Sequence, residues 1–198
     1  MNALGKKLSE VAKQFSTGER NEFFSLKNDG DKAVVRFLYE GEDDLDWAIV
    51  HQVEIGGKKR YVKCLETDDC PLCLAGYKRQ LKVFLQLVCD GKVMTWERGR
   101  KFVPVIVGLT AKYSPLYSRE FEVVRSGKPN DPSTSYQLYP LDPDGVKLED
   151  LPAKQELIAE NGFVLVKSKE DMELIVEGKY SYQGVAGIRR PVSGEKVF

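Results

Sequence analysis

The stretch "HQVEIGGKKRYVKCLETDDCPLC", from His51 to Cys73, contains the only histidine of the chain and three of its four cysteines. The Gly-Gly pair in its middle is typical of a two-residue turn between antiparallel strands. Counting outward from that turn, the sequence predicts that Ile55 faces Lys58 and that His51 faces Val62. Cys64 is then the diagonal neighbour of His51 on the same face of the hairpin.

The spacing of the remaining cysteines predicts a metal site. Two thiolates arranged as Cys70 and Cys73 can chelate one ion, and the turn at "TDD" returns the chain so that His51 and Cys64 complete a Cys₃His set. Such a thiolate-rich tetrahedral set favours Zn²⁺. Four protein ligands leave no open position for water, so the expected zinc is a single structural ion.

Two other interpretations of these residues are open. In the first, the cysteines are buried thiols and the histidine lies on the surface. In the second, Cys70 and Cys73 form a redox pair of the thioredoxin type. Neither interpretation explains why the only histidine occupies this place in a hairpin. Cys89 could replace one ligand, but its position on an alternating apolar strand predicts a thiol packed in the core.

Composition limits the class of protein. A chain of 198 residues has room for one substantial core with appendages. With 30% charged and 42% hydrophobic residues it has the balance of a soluble globular protein, and no apolar run approaches the roughly 18 residues of a membrane span. The absence of a secretory signal pattern and of a disulfide framework predicts a cytoplasmic protein without a membrane partner.

Alternating patterns predict a mainly β fold. "LKVFLQLVCDGKVMTWERG" is the clearest hairpin because Asp90–Gly91 suits its turn. A second hairpin is expected around "NDGD" at residues 28–31, and two more strands within "REFEVVRSGKPNDPSTSYQLYPLD" at residues 119–142. Because no long helix alternates with these strands, they favour a Greek-key barrel or a small sandwich.

Three helices are expected at the periphery. The first covers "LGKKLSEVAKQF" at residues 4–15, where apolar residues recur at helical spacing. The second covers "LEDLPAKQELIAENG" at residues 148–162. The third lies within "SKEDMELIVEG", with a capping box at Ser168 and Asp171 and a stop at Gly178. The residues after it are expected to form a loose tail.

Charge is segregated along a chain whose net charge is zero. Residues 51–128 contain 15 lysines or arginines against 8 acidic residues, and residues 129–178 contain 4 against 11. The basic block interleaves cations with rings, as single-stranded nucleic acid binding requires, because cations follow phosphates and rings stack on bases. The candidate DNA-binding residues are Lys58, Lys59, Arg60, Tyr61, Lys63, Trp96, Arg98, Arg100, Lys101, Phe102, Lys112, Tyr113 and Arg119.

A plainer interpretation assigns the rings to the core and the cations to a solvated face. Trp96 and Phe102 flank "ERGR" in what the sequence predicts to be a loop or strand end, so they are expected to be the more exposed rings. The acidic block at 129–178 either recruits a protein partner or is the solvated side of two helices.

The order of a histidine, twelve residues, a cysteine, a short acidic loop and Cys-Pro-Leu-Cys resembles the zinc-containing single-stranded DNA-binding proteins of tailed bacteriophages, their helix-destabilising proteins. The resemblance implies an OB-fold, a five-stranded Greek-key barrel, with an inserted Cys₃His zinc subdomain whose ligands are His51, Cys64, Cys70 and Cys73. It implies an N-terminal arm over 1–19, a core over 20–150 with the zinc subdomain at about 48–80, and C-terminal helices with a flexible tail over 151–198.

The same resemblance implies a function. The protein is expected to coat and protect single-stranded DNA without sequence preference in phage-type replication, recombination and repair, in the cytoplasm of the host cell. Its N-terminal arm would contact neighbouring protomers on DNA. Replication or recombination proteins are further expected partners, although the family's acidic tail is not matched by the mildly basic "GIRRPVSGEKVF".

The residues fit one other class of function and disfavour another. A zinc-ribbon interaction module that docks on a polymerase or transcription complex also fits a Cys₃His site with segregated charges. An enzyme is disfavoured because the lone histidine is committed to metal. The sequence also lacks a phosphate-binding glycine loop, a nucleophile elbow and a deaminase zinc motif.

Overall fold

The computed structural model describes residues 22–129 and 131–181, and these residues form mainly β-strands with a few helices. They divide into two compact units. Unit 1 comprises the described residues up to Leu45 and from Phe84 to Lys154, and unit 2 comprises Asp46–Val83 and residues 155–181. The helix expected at residues 4–15 and the tail beyond Ser181 lie outside the described residues.

Unit 1 is built on the antiparallel strands β2 (Lys32–Phe37), β5 (Arg79–Cys89, of which Phe84 onward belongs to this unit), β6 (Lys92–Gly99), β7 (Phe121–Ser126) and β8 (Ser135–Pro140). A short strand, β1 (Glu22–Phe23), is added to them. In the β2–β5 pair Arg36 lies opposite Val88, and in the β7–β8 pair Val123 lies opposite Leu138. The spatial order of the strands is β6, β5, β2, β7, β8, and β1 pairs with β6.

The hairpin expected at Asp90–Gly91 is confirmed. Both turn residues have positive φ, 51° and 74°, as a primed two-residue turn requires. Cys89 is buried, as its place in the alternating pattern predicts. Phe84 and Gln86, which point to the other face of β5, are buried as well. This strand is therefore covered on both faces, which its alternation alone did not indicate.

The hairpin expected around "NDGD" is wrong. β1 pairs in parallel with β6, with Glu22 opposite Met94, instead of with β2. The Asp31 carboxylate accepts hydrogen bonds from the amides of Lys27 and Asn28, which closes this segment into a loop. The chain before the loop is directed to β6 because Phe24 packs on a core ring there, so a long-range contact overrides the local turn signal.

A helix not anticipated from the sequence follows β6. A 3₁₀ turn at Arg100–Phe102 leads into α2 (Val103–Tyr113), which has a proline in its first turn, where the missing amide costs nothing. Ile106, Leu109 and Thr110 face the core of unit 1. The run "VPVIVG" concealed this helix because β-branched residues are typical of strands.

Unit 2 contains the first residues of β5, up to Val83, with β3 (Trp47–Ile55), β4 (Lys58–Lys63), β9 (Ile158–Ala159) and β10 (Val164–Leu165), in the order β5, β3, β4, β10, β9. The predicted β3–β4 register is confirmed, since Ile55 faces Lys58 and His51 faces Val62. Gly56 and Gly57 have φ of 58° and 73°, a conformation that L side chains rarely adopt.

Two short helices complete unit 2: α1 (Pro71–Leu74) and α3 (Lys169–Val176). The predicted start of α3 is confirmed, because the Ser168 side chain accepts a hydrogen bond from the Asp171 amide. Gly178 ends the helix with φ of 70°. A core cluster lies beneath both helices and includes Val53, Ile55, Val62, Cys64, Cys70, Leu72, Leu165, Met172 and Ile175.

The helix expected over residues 148–162 is wrong. The segment forms a 3₁₀ turn at Leu148–Asp150 and then the strand β9. Pro152 removes an amide that a helix would need, and Leu157 is buried. The turn after β9 passes so close to the Leu157 backbone that a Cβ at Gly162 would lie 2.6 Å from its carbonyl oxygen. Tertiary packing therefore selects a turn between short strands.

None of the helices within residues 22–129 and 131–181 combines the length and the apolar character needed to cross a bilayer.

Candidate metal centre and cation–aromatic surfaces

Three elements of unit 2 bring the four predicted metal ligands together. His51 lies on β3, and Cys64 follows β4 directly. Cys70 is the N-cap residue of α1, and Cys73 lies within that helix. His51, Cys64 and Cys70 are buried, whereas Cys73 is partly exposed. The β3–β4 hairpin and the turn from Cys70 to Cys73, which we call the knuckle, thus direct one imidazole and three thiols to a single point.

The distances between the donor atoms fit tetrahedral coordination. Cys64 Sγ lies 4.0 Å from Cys70 Sγ and 3.7 Å from Cys73 Sγ. His51 Nε2 lies 3.7 Å from Cys70 Sγ and 3.5 Å from Cys73 Sγ. A tetrahedron with metal–sulfur bonds of about 2.3 Å and a metal–nitrogen bond of about 2.1 Å has edges of about 3.8 and 3.6 Å. The four residues can therefore bind one metal ion.

Backbone groups orient the ligands. His51 Nδ1 lies 3.1 Å from the Tyr77 carbonyl oxygen, so the protonated Nδ1 donates and Nε2 is left for the metal. The Glu66 amide donates to Cys64 Sγ over 3.3 Å. Glu66 has φ of 59°, a strained conformation for a residue other than glycine, and this conformation directs its amide toward the sulfur.

The environment shifts the pKa values of the ligands in different directions. Burial and the neighbouring thiols raise the pKa of Cys73 to about 12. Burial also opposes ionisation of Cys70, but hydrogen bonds from the Leu65 and Cys73 amides favour its thiolate, and the pKa of Cys70 is lowered overall. Burial lowers the pKa of His51, which keeps the imidazole neutral. The neutral imidazole of His51 and the thiolate of Cys70 are species that a metal ion binds, whereas Cys73 would lose its proton when the metal binds.

Cys89 is not part of this set. It belongs to unit 1, and its thiol is buried beside the Asp90 carboxylate, 3.9 Å away. The prediction of a packed thiol is confirmed.

The predicted cations of β4 divide between the two faces of the hairpin. Lys59, Tyr61 and Lys63 share one face, while Lys58 and Arg60 lie on the face of the metal cluster. The ammonium of Lys82, on β5, lies 5.1 Å from the centre of the Tyr61 ring. The Phe163 ring packs edge-on against Tyr61, with centroids 5.9 Å apart. We call Lys59, Tyr61, Lys63, Lys82 and Phe163 the Tyr61 surface.

Trp96 and Phe102 are not exposed, contrary to expectation. Trp96 is 0% and Phe102 8% exposed, and their ring centroids are 5.0 Å apart in the core of unit 1. Phe24 and Tyr136 pack on other sides of Trp96. Side chains alternate between the two faces of β6, and this alternation directs Trp96 into the core. The 3₁₀ turn at Arg100–Phe102, which the sequence did not predict, buries Phe102. Neither ring can stack on a nucleic acid base from this position.

Arg98 remains accessible beside this cluster. Its guanidinium lies 4.8 Å from the Trp96 ring centre and 4.3 Å from that of Tyr136. Burial lowers the pKa of Arg98. The negative charge of the neighbouring Glu97 acts in the opposite direction. Arg100 and Lys101 follow on the exposed 3₁₀ turn.

The structure brings three further predicted residues together in unit 1. Lys112 Nζ lies 5.1 Å and Arg119 Cζ 5.2 Å from the centre of the Tyr113 ring. The buried Nε of Arg119 has no hydrogen-bond partner in the part of the chain that the structure describes. This is a second place where a half-buried cation rests on an aromatic ring.

Sequence reasoning missed Lys82, Tyr136 and Phe163. Lys82 and Tyr136 lie in predicted strands, but the rings they meet come from strands distant in sequence. Phe163 precedes β10, which pairs in parallel with β4, and no local pattern indicates that pairing. Trp47, which is 54% exposed at the start of β3, was also overlooked.

Comparisons of the chain with profiles of known protein families and with curated proteins find no match.

Proposed function

We propose that this protein is a non-enzymatic, sequence-tolerant single-stranded DNA-binding protein with one structural zinc ion. The Tyr61 surface carries the proposal. It combines a half-buried ring, held edge-on by a second ring, with three lysines on the same face of the sheet, two from β4 and one from β5. Rings that stack on bases and cations that follow phosphates are the requirements of single-strand binding.

Electrostatics on this surface favour a polyanion. Lys59 and Lys63 are exposed and alternate with Tyr61 along β4, and Glu54, opposite Lys59, is the acidic residue of β3 on this face. In unit 1, the guanidinium of Arg98 lies between the rings of Trp96 and Tyr136. A desolvated arginine of this kind gains from a phosphate oxygen, which accepts its hydrogen bonds and neutralises its charge.

The topology of unit 1 supports an OB-fold as part of this proposal. An OB-fold is a five-stranded, partly open Greek-key barrel, and in a Greek key the fourth strand returns to lie beside the first. Here β2 pairs with β5 and β7, α2 lies between β6 and β7, and β7 pairs with β8. The Trp96 and Tyr136 rings connect β6 to β8, where such a barrel closes.

Zinc is the metal we propose for the Cys₃His centre. Three sulfurs and one imidazole nitrogen in tetrahedral spacing suit Zn²⁺, whereas Mg²⁺ and Ca²⁺ require oxygen ligands. With four protein ligands the ion would stabilise unit 2 and take no part in a reaction. It would fix the hairpin that presents Tyr61 and the lysines beside it.

The test is a titration of the full-length protein into labelled oligo-dT and into a matched duplex, followed by fluorescence anisotropy at several salt concentrations. We expect salt-sensitive binding to the single strand and much weaker binding to the duplex. The double variant Lys59→Ala/Lys63→Ala should bind more weakly and reduce the salt slope by about 1.4, since each lost phosphate contact on a single strand removes about 0.7.

Lys92→Ala provides the matched control, because Lys92 is an exposed lysine of unit 1 that pairs with Glu22. It should leave both the affinity and the salt slope unchanged. Equal binding to single strand and duplex would contradict the proposal. Absence of all binding by the zinc-loaded protein would instead favour a zinc-ribbon module that docks on a protein partner.

A further inference from the structure

Two cations of unit 1 lie on the ring of Tyr113, the last residue of α2. Lys112 Nζ is 5.1 Å and Arg119 Cζ is 5.2 Å from the centre of this ring. Lys112 precedes Tyr113 in the helix, whereas Arg119 follows the 3₁₀ turn Leu116–Ser118. We call Lys112, Tyr113 and Arg119 the Tyr113 cluster. All three residues belong to unit 1, so the cluster includes no part of the metal-binding unit.

The ring that carries both cations is fixed by the core. The Tyr113 ring packs edge-on against Phe121, with ring centroids 6.2 Å apart. Phe121, the first residue of β7, is fully buried and packs in turn on Phe37, with centroids 5.4 Å apart. Tyr113 itself is half-buried, so part of its ring reaches solvent. The core of unit 1 therefore sets the position of the ring, and no ligand is needed to order it.

The hydrogen bonding of Arg119 differs from that of two buried arginines in the same unit. Arg36 donates to the Tyr117 carbonyl and is paired with Asp144. Arg125 donates to three backbone carbonyls and two side-chain hydroxyls. Arg119 is half-buried, yet its buried Nε has no hydrogen-bond partner in the part of the chain that the structure describes. Because burial of an unpaired polar group costs free energy, this arginine does not fit a purely structural role.

The cluster has an excess of positive charge. The carboxylate next to Arg119 in the sequence, that of Glu120, is paired with Arg36, whose Nη2 lies 3.5 Å away. Within residues 22–129 and 131–181 neither Lys112 nor Arg119 forms an ion pair. Because both cations lie about 5 Å from one ring centre, they are at most about 10 Å apart. An anion that contacts both would compensate two charges that the protein leaves without a carboxylate.

A phosphate group suits the cluster. Nε is the buried nitrogen of Arg119, so its two Nη groups are the donors that an anion can reach. A guanidinium binds two phosphate oxygens at once, and an ammonium group adds a point charge that can follow a third. Contact with the Tyr113 ring holds the guanidinium in place, so less conformational freedom is lost when the anion binds. Lys112 is exposed, and its flexible side chain can adjust to the same group.

We propose that the Tyr113 cluster is an anion site that binds a phosphate group, with Arg119 donating hydrogen bonds to its oxygens and Lys112 neutralising its charge. The source of the phosphate rests on the proposed function, and on that basis it is a backbone phosphate of the bound single strand. The cluster is then a contact in unit 1 that adds to the Tyr61 surface of unit 2.

The test is an NMR titration of the full-length, zinc-loaded protein with ¹⁵N-labelled arginine. The titrants are inorganic phosphate, oligo-dT, sodium chloride and sodium acetate, compared at equal ionic strength. We expect the Nε–Hε signal of Arg119 to shift with phosphate and with oligo-dT and to stay in place with chloride. The Nε–Hε signal of Arg125 should stay in place throughout, because its partners lie within the protein. The variant Arg119→Gln identifies the signal by its loss.

The same variant tests the contact by affinity. Arg119→Gln should reduce the salt slope of oligo-dT binding by about 0.7, the value for one phosphate contact on a single strand. Lys147→Gln is the control, because Lys147 is an exposed lysine of unit 1 that pairs with Glu149, and it should leave the slope unchanged. Circular dichroism of both variants should match that of the wild type, which shows that a change in slope does not come from unfolding.

The outcomes separate this site from the proposed function. Oligo-dT binding that leaves the Arg119 signal in place and the slope of Arg119→Gln unchanged overturns the site, while single-strand binding through the Tyr61 surface stands. A shift with phosphate in a protein that does not bind oligo-dT supports the site, assigns it to free phosphate and contradicts the proposed function. Shifts of equal size with acetate and phosphate would assign the cluster to carboxylates and overturn the proposal.

Discussion

His51 Nδ1 lies 3.1 Å from the carbonyl oxygen of Tyr77, and on the other side of the ring His51 Nε2 lies 3.5 Å from Cys73 Sγ. The backbone of one loop thereby sets the tautomer of the histidine, and that tautomer places a lone pair toward three thiols. The Tyr77 carbonyl is held in place by the fold of unit 2, because the Tyr77 amide donates to the Leu72 carbonyl and its side chain packs against the core cluster.

The first prediction concerns metal content. We expect about one zinc ion per chain, and far less than one in Cys70→Ser, because a hydroxyl group is a poor ligand for zinc in a thiolate site. Elemental analysis of the purified proteins measures this directly. Cys89→Ser should keep the full equivalent, since Cys89 is a packed thiol of unit 1. Equal zinc loss in the two variants would contradict the assignment of ligands.

The second prediction concerns removal of the metal. A strong chelator should increase amide hydrogen exchange in residues 46–83 and 155–181, because the ion joins the hairpin to the knuckle and its binding free energy contributes to folding. Exchange in β6, β7 and α2 of unit 1 should change little. Mass spectrometry of peptide fragments before and after chelation distinguishes the units. A uniform increase across the chain would show that the metal does not stabilise unit 2 selectively.

The third prediction concerns acid. Hydrogen bonds from Arg36, which is 6% exposed, lower the pKa of Asp144, with Nη1 3.3 Å from Oδ1. A carboxyl group whose pKa is lowered on folding stabilises the folded state above its unfolded pKa near 3.8, and this stabilisation is lost as the pH falls through the folded pKa. Asp144→Asn should therefore be less stable than wild type at pH 7, and the difference should disappear at the lowest pH.

Urea denaturation at a series of pH values between 7 and 2 tests this dependence. Glu149→Gln is the control, because the Glu149 side chain is 74% exposed and its partner Lys147 is also on the surface. Its unfolding free energy should match that of wild type throughout. A difference for Asp144→Asn that stayed constant down to pH 2 would show that the charge of Asp144 is not responsible.

The fourth prediction separates core rings from binding rings. Trp96→Leu should destabilise the protein markedly, since loss of a buried aromatic side chain typically costs about 3–5 kcal/mol when it is truncated to alanine. The folded variant should lose less affinity for oligo-dT than Tyr61→Leu, which removes a ring proposed to stack on a base for about 1–3 kcal/mol. Thermal denaturation and anisotropy measured on both variants provide the comparison, and the reverse ranking of affinities would contradict the Tyr61 surface.

The candidate metal site could be predicted almost entirely from the sequence. The Gly-Gly turn sets the register of β3 and β4, and the register in turn decides that His51 and Cys64 share a face. In the knuckle, the two residues between Cys70 and Cys73 bring both thiols to the same point. These relationships are local, because each lies within one hairpin or one turn of the chain, and such geometry follows from residue type.

The surfaces around the site could not be predicted in the same way. Trp96 and Tyr61 both stand among cations in the sequence, yet Trp96 is buried under rings from three other segments while Tyr61 is half exposed. The segment at 148–162 has a helical pattern but forms β9, because Leu157 is buried in unit 2 and Gly162 permits a close turn.

Local sequence therefore sets the register of the β3–β4 hairpin, the Cys₃His cluster and the capped start of α3, since turns, caps and chelating pairs act between residues close along the chain. Long-range packing sets which rings are buried, which cations lie on the same face and where β1 and β10 pair. Those outcomes depend on contacts between segments far apart in the sequence, and the free energy of burying apolar surface, which does not depend on sequence separation, selects among them.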